Sequence, residues 1–171
     1  MFKHFIAAGA LIAIAGAGAS AQTAAPKSVI SIQPLNAIFE VYSGEFERAA
    51  GKAATWGLGG TYSSIETDFE YSSAELKGRY YPAGIALQGF SVGGAVGFTR
   101  IKSSNFDGTE DSAGGPSIGV LIEYQWLMGT KKNFSLVLGV GAKSVNVDED
   151  QFTNSVTVRY PTGRLSVGIA F

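Results

Sequence analysis

Eight charged residues share one face of the strands that this sequence predicts. They are Glu45 and Glu47, then Glu75, Lys77 and Arg79, then Glu123, Lys143 and Arg164. Two carboxylates two residues apart, such as Glu45 and Glu47, stand roughly 6.6 Å apart by strand rise. A carboxylate pair of that kind can divide acid and base roles between its members. Here the four acids are matched by four bases on the same face, which argues for pairing rather than catalysis. Charges in a low-dielectric interior cost several kcal/mol each unless they are paired. The expected outcome is a paired network that plugs an interior. The alternative is a narrow gated ion path that a rearranged network opens.

Other catalytic residue types are scarce. The single histidine is His4 and there is no cysteine. A serine hydrolase would lack its imidazole base, and a zinc site would lack its usual ligands. The glycine-rich pieces Gly57-Leu-Gly-Gly60 and Gly139-Val-Gly-Ala-Lys-Ser144 are not phosphate loops. The second has no Gly directly before its Lys, and neither opens a predicted helix. No enzyme activity, cofactor or metal is therefore expected. Acidic residues also collect in predicted loops, at Glu66, Asp68, Glu70, Asp107, Glu110, Asp111, Asp148, Glu149 and Asp150. Asp148-Glu149-Asp150 could bind Ca²⁺ through its oxygens but lacks the spacing and Gly of a calcium loop, so solvated acidic loops are the expectation. Such loops could bridge divalent ions to lipopolysaccharide or meet a host or phage protein.

The elements that must position these charges are strands. Period-two alternation predicts eight, at 28–33, 38–48, 54–64, 72–81, 89–101, 116–127, 134–147 and 162–171. The last has Leu165, Val167, Ile169 and Phe171 on one face and Arg164, Ser166, Gly168 and Ala170 on the other. Short turns are expected near Gly51, Pro82 and Lys131. Longer loops are expected at 65–71, 102–115 and 148–161, with a short corner at Pro34. An even strand number with short turns at one end and long loops at the other suits a transmembrane barrel.

Length allows one domain, and the first 21 residues are read as lying outside it. Lys3, the apolar run 5–17 and Ala19-Ser20-Ala21 have the form of a cleaved secretory signal. The barrel domain is then 22–171. A net charge of −1 gives no electrostatic preference for nucleic acid. The polar strand face decides between a soluble and a membrane barrel. A soluble barrel would carry long solvated Lys and Glu there. This chain carries Gly57, Gly59, Thr61, Ser91, Gly93, Ala95, Gly97, Ser135 and Gly139. The apolar face carries aromatics near strand ends, where membrane girdles belong. The fold class is therefore all-β: an eight-stranded antiparallel up-and-down transmembrane barrel.

Four stretches carry a family resemblance: Ile30-Ser-Ile-Gln-Pro-Leu-Asn36, Gly44-Glu-Phe-Glu-Arg48, Leu76-Lys-Gly-Arg-Tyr-Tyr-Pro82 and Gly163-Arg-Leu-Ser-Val-Gly-Ile-Ala-Phe171. Through them the chain resembles the small eight-stranded outer-membrane barrels of the OmpX, opacity-protein and OmpA-barrel type. More closely, it looks like a group known only as uncharacterised outer-membrane proteins. The resemblance implies residence in a Gram-negative outer membrane, among lipid and lipopolysaccharide. It also implies insertion by the barrel-assembly machinery, with Leu165, Val167, Ile169 and Phe171 as the recognised strand. The expected role is structural, or surface interaction through the loops with an extracellular ligand or host protein. A minor channel is the alternative, and a lipid-modifying enzyme is disfavoured.

Overall fold

The computed structural model describes residues 25–65, 69–104, 110–147 and 156–171. The segment 1–21, expected to be a cleaved signal, lies outside the described residues, as do Glu66, Asp68, Asp107 and Asp148-Glu149-Asp150. Eight strands follow one another: β1 Ser28–Ile32, β2 Val41–Ala49, β3 Ala54–Ile65, β4 Phe69–Tyr80, β5 Gly89–Ser104, β6 Glu110–Met128, β7 Phe134–Val147 and β8 Val156–Ala170. Each pairs antiparallel with the next, and β1 pairs with β8 to close the barrel. The closing register sets Val29 against Ala170 and Ile32 against Val167. Closure removes every free sheet edge.

Four strands run further toward the loops than the alternation predicts. β8 begins at Val156 rather than at 162, β6 at Glu110 rather than at 116, β4 at Phe69 rather than at 72, and β5 ends at Ser104 rather than at 101, while β2 begins only at Val41 rather than at 38. Polar residues dominate 102–104 and 110–115, whereas 156–160 still alternates, with Val156, Val158 and Tyr160 against Thr157 and Arg159. The backbone ladder continues regardless, pairing Lys102 with Ser112 and Asn146 with Thr157. The corner at Pro34 is a one-turn helix, α1 (Pro34–Ala37), with Pro34 in its first turn. Proline is favoured there because its missing N–H would be unpaired anyway.

Burial is the inverse of a soluble domain. Among the described residues the buried set holds seven hydrophobic side chains against seventeen polar or charged ones. The large apolar residues are on the outside, including Leu58, Leu76, Val96, Ile118, Ile122 and Val140. Soluble monomers rarely expose a contiguous apolar surface of this extent. Leu165, Val167, Ile169 and Phe171 lie on this outer face, alternating with inward Arg164 and buried Ser166 and Ala170.

The turn end has a small apolar cluster of its own. Residues 81–88 fold back so that Leu87 is 0% exposed and packs with Val29 and Ala170, beside Ala49 and Leu127. The turns are stitched together, with Ala86 N donating to Lys52 O and Tyr81 N to Ala53 O, both at 2.7 Å. Leu87 adopts φ +67, a left-handed conformation disfavoured for a residue with a Cβ, and its buried side chain offsets that cost. Leu87→Ala is expected to destabilise the barrel by about 2–5 kcal/mol, measured by urea titration of the refolded protein in vesicles.

A charged lumen as candidate functional site

The even-numbered strands each aim a charge at the barrel axis. Glu45 on β2, Arg79 on β4, Glu123 on β6 and Arg164 on β8 meet across the lumen. Arg79 Nη2 donates to Glu45 Oε1 at 2.6 Å, and Arg79 Nε donates to Glu123 Oε2. Arg164 Nη1 donates to Glu123 Oε1 at 3.0 Å and lies 3.1 Å from Glu45 Oε2. The four side chains form a closed ring of alternating sign, tying together every second strand. Arg can serve two carboxylates at once because its guanidinium presents five donors in a rigid fork.

Two further layers flank the ring. Toward the loops, Lys77 Nζ donates to Glu45 Oε2 at 2.6 Å and lies 3.4 Å from Glu75. Lys143 Nζ then lies 2.7 Å from Glu75 Oε1 and donates to the Tyr71 hydroxyl at 3.2 Å. Toward the turns, Arg79 Nη1 is 3.2 Å from Glu47 Oε1, an ion contact without hydrogen-bond alignment. Thr55 Oγ1 donates to Glu47 Oε1 at 2.6 Å. All eight charges selected from the sequence thus face the lumen, each within 4 Å of an opposite charge. Their formal sum is zero, and the ring charges are almost fully buried.

Pattern reading missed a neutral layer. The Tyr81 hydroxyl lies 3.0 Å from Glu47 Oε1 and 2.7 Å from Gln125 Oε1, and its single proton serves one of them at a time. Gln125 Nε2 donates to Ser135 Oγ at 3.0 Å. Parity could have found both residues, since Tyr81 is two positions from Arg79 and Gln125 two from Glu123. Neither carries a charge, so neither stood out.

Small residues make room for the long ones. On β4, Glu75, Lys77 and Arg79 are flanked in register by Gly59, Gly57 and Thr55 on one side and by Gly97, Ala95 and Gly93 on the other. A methyl at Gly59 would stand 3.2 Å from Lys77 Nζ, and one at Gly139 would stand 2.5 Å from Glu123 Cγ. Gly139→Val should therefore push Glu123 off the ring and cost about 1–3 kcal/mol, as overpacking does. Comparing urea midpoints of the variant and the parent checks this.

The eight-stranded closed barrel has a counterpart among solved structures. This chain shares its fold with the N-terminal β-barrel domain of Pseudomonas aeruginosa OprF. The superposition has a TM-score of 0.51 at 14% identity and covers 86% of this chain and 100% of that domain. No protein-family model and no curated relative matches the sequence. The fold is therefore what the OprF domain supports, and the chemistry has to be argued from this chain's own residues. Among the described residues no group of three or more His, Cys, Asp or Glu is placed to hold a metal ion.

Proposed function

We propose that this chain is an integral outer-membrane barrel of a Gram-negative bacterium, with a structural or surface-interaction role carried by its loops. Residues 1–21 would serve as a cleaved signal and 22–171 as the barrel. The observation that carries the reading is the inverted side-chain distribution, with paired charges inside and an apolar outer face. Lipid tails are the solvent in which that distribution is favourable. On β6, the outward residues Ile118, Val120, Ile122, Tyr124 and Trp126 cover nine positions, within the roughly 9–11 residues a tilted strand needs to cross.

The lumen is read as a plug, because its charges are satisfied by one another rather than by a solute. The loops, with lipopolysaccharide or an extracellular ligand as partner, are then where a specific role resides. The role is non-catalytic, consistent with a sequence from 22 onward that holds neither His nor Cys. Assembly by the barrel-insertion machinery would use the outward Leu165, Val167, Ile169 and Phe171. A minor ion path is the second reading, favoured by a ring whose Arg and Glu side chains can re-pair without breaking a strand.

The cysteine-free sequence makes the topology directly testable. Single variants Glu149→Cys and Lys131→Cys would be treated with a membrane-impermeant maleimide on intact cells. Labelling of Glu149→Cys alone, with Lys131→Cys reached only after the outer membrane is permeabilised, is the expected result. Labelling of neither in permeabilised cells, or of Lys131→Cys alone in intact ones, overturns the proposal.

A further inference from the structure

Charge outside the lumen is segregated along the sequence. Segments 36–40, 66–70, 100–111 and 148–159 hold ten acidic and three basic residues. The turn end holds Lys27, Arg48, Lys52, Lys131 and Lys132, all exposed. No Asp or Glu occurs in 48–58, 78–92 or 125–137, so these cations have no acidic neighbour in the turns. Such a surface attracts anions over about a Debye length.

A groove opens on the outer face directly above it. Gly78 and Gly94 pair across β4 and β5 and leave a hollow of about 510 Å³, walled by Trp56, Leu76, Val96 and Val120. Trp56 pairs in register with both Gly78 and Arg48, so Arg48 flanks the groove's Trp56 wall from the next strand. Lys52 belongs to the neighbouring turn, and its carbonyl is bonded to Ala86 in the segment that closes β4 onto β5. An apolar hollow on the lipid face thus ends beside two exposed cations and an indole.

We propose that this surface binds a phospholipid with an anionic headgroup, one acyl chain lying in the Gly78–Gly94 groove and the phosphate held by Arg48 and Lys52. The proposal rests on the membrane reading above and adds to it a lipid preference at the turn end. Lys27, Lys131 and Lys132 extend the same preference around the rim. Cations beside a bilayer surface draw anionic lipid, and the indole of Trp56 suits the headgroup boundary.

The chain's two tryptophans, Trp56 and Trp126, are both on the outer face toward the turn end, so fluorescence reads this site. In a Trp126→Phe variant refolded into phosphatidylcholine vesicles, Trp56 alone reports. Brominated phosphatidylglycerol should quench it at lower mole fraction than brominated phosphatidylcholine, by roughly fivefold per engaged cation at low salt. The preference should shrink in high salt and fall to about one in Arg48→Gln/Lys52→Gln. Equal quenching by both lipids, or a preference unchanged in the double variant, overturns this proposal and leaves the membrane reading intact. The converse variant Trp56→Phe reads Trp126. Quenching of Trp126 with Trp56 shielded from both lipids would assign the groove to a second copy of the chain and also overturn it. Quenching of neither tryptophan overturns the membrane reading itself.

Discussion

Arg79→Ala should destabilise the folded barrel by about 3–5 kcal/mol, because it leaves buried carboxylates without their main partner. Among the described residues, Arg79 is the one side chain that reaches Glu45, Glu47 and Glu123 together. Without it, Glu45 keeps Lys77 and Arg164, and Glu123 keeps Arg164. Glu47 keeps only neutral donors, from Thr55 and Tyr81. The lumen sum also moves from zero to −1. Arg79→Lys should lie between the parent and the alanine variant, since an ammonium restores the charge but cannot fork between β2 and β6. Urea titrations in vesicles, followed by the difference in gel migration between folded and heated protein, give all three values. An Arg79→Ala midpoint equal to the parent's would mean that the lumen is wet and its charges are solvated individually.

Ile122→Arg is expected to cost about 2–4 kcal/mol, the penalty for a cation near the middle of the lipid-facing band. Ile122 is 52% exposed and sits on β6 between the outward Val92 and Val140 in register. In water the same substitution would place a charge on a solvated surface and change little, within about 0.5 kcal/mol. The size of the result therefore separates a lipid face from a water face without any knowledge of function. Thr130→Arg, in the exposed β6–β7 turn, is the matched control and should fall within that smaller range. A harmless Ile122→Arg would remove the argument from inverted burial.

Period-two alternation is what made the barrel readable. A residue's parity within a strand fixes its face, so Glu75, Lys77 and Arg79 could be set on one side without any contact information. Parity does not say how high each strand stands against its neighbours. That Glu123 faces Arg79 and Arg164, while Lys143 faces Glu75, depends on the register of the closed barrel, which no single strand records. The extension of β8 to Val156 was hidden because the stretch 148–161 opens on Asp148-Glu149-Asp150 and ends on Pro161, which read as a loop although Val156, Val158 and Tyr160 alternate with Thr157 and Arg159. Leu87 was hidden for the opposite reason. It belongs to a turn, where no period exists, and its burial comes from the chain folding back beneath β1 and β8. Tyr81 and Gln125 follow the parity of the charges above them and were overlooked only because neutral polar residues are common on such a face.

Single-channel recording of the refolded chain in a planar bilayer tests the plugged lumen most directly. Gel migration would first establish that the inserted protein is folded. The ring of Glu45, Arg79, Glu123 and Arg164, with buried Tyr81 and Leu87 below it, is expected to leave the folded barrel electrically silent. Stable, reproducible openings from the folded protein would contradict that account and make the same four charges the walls of an ion path.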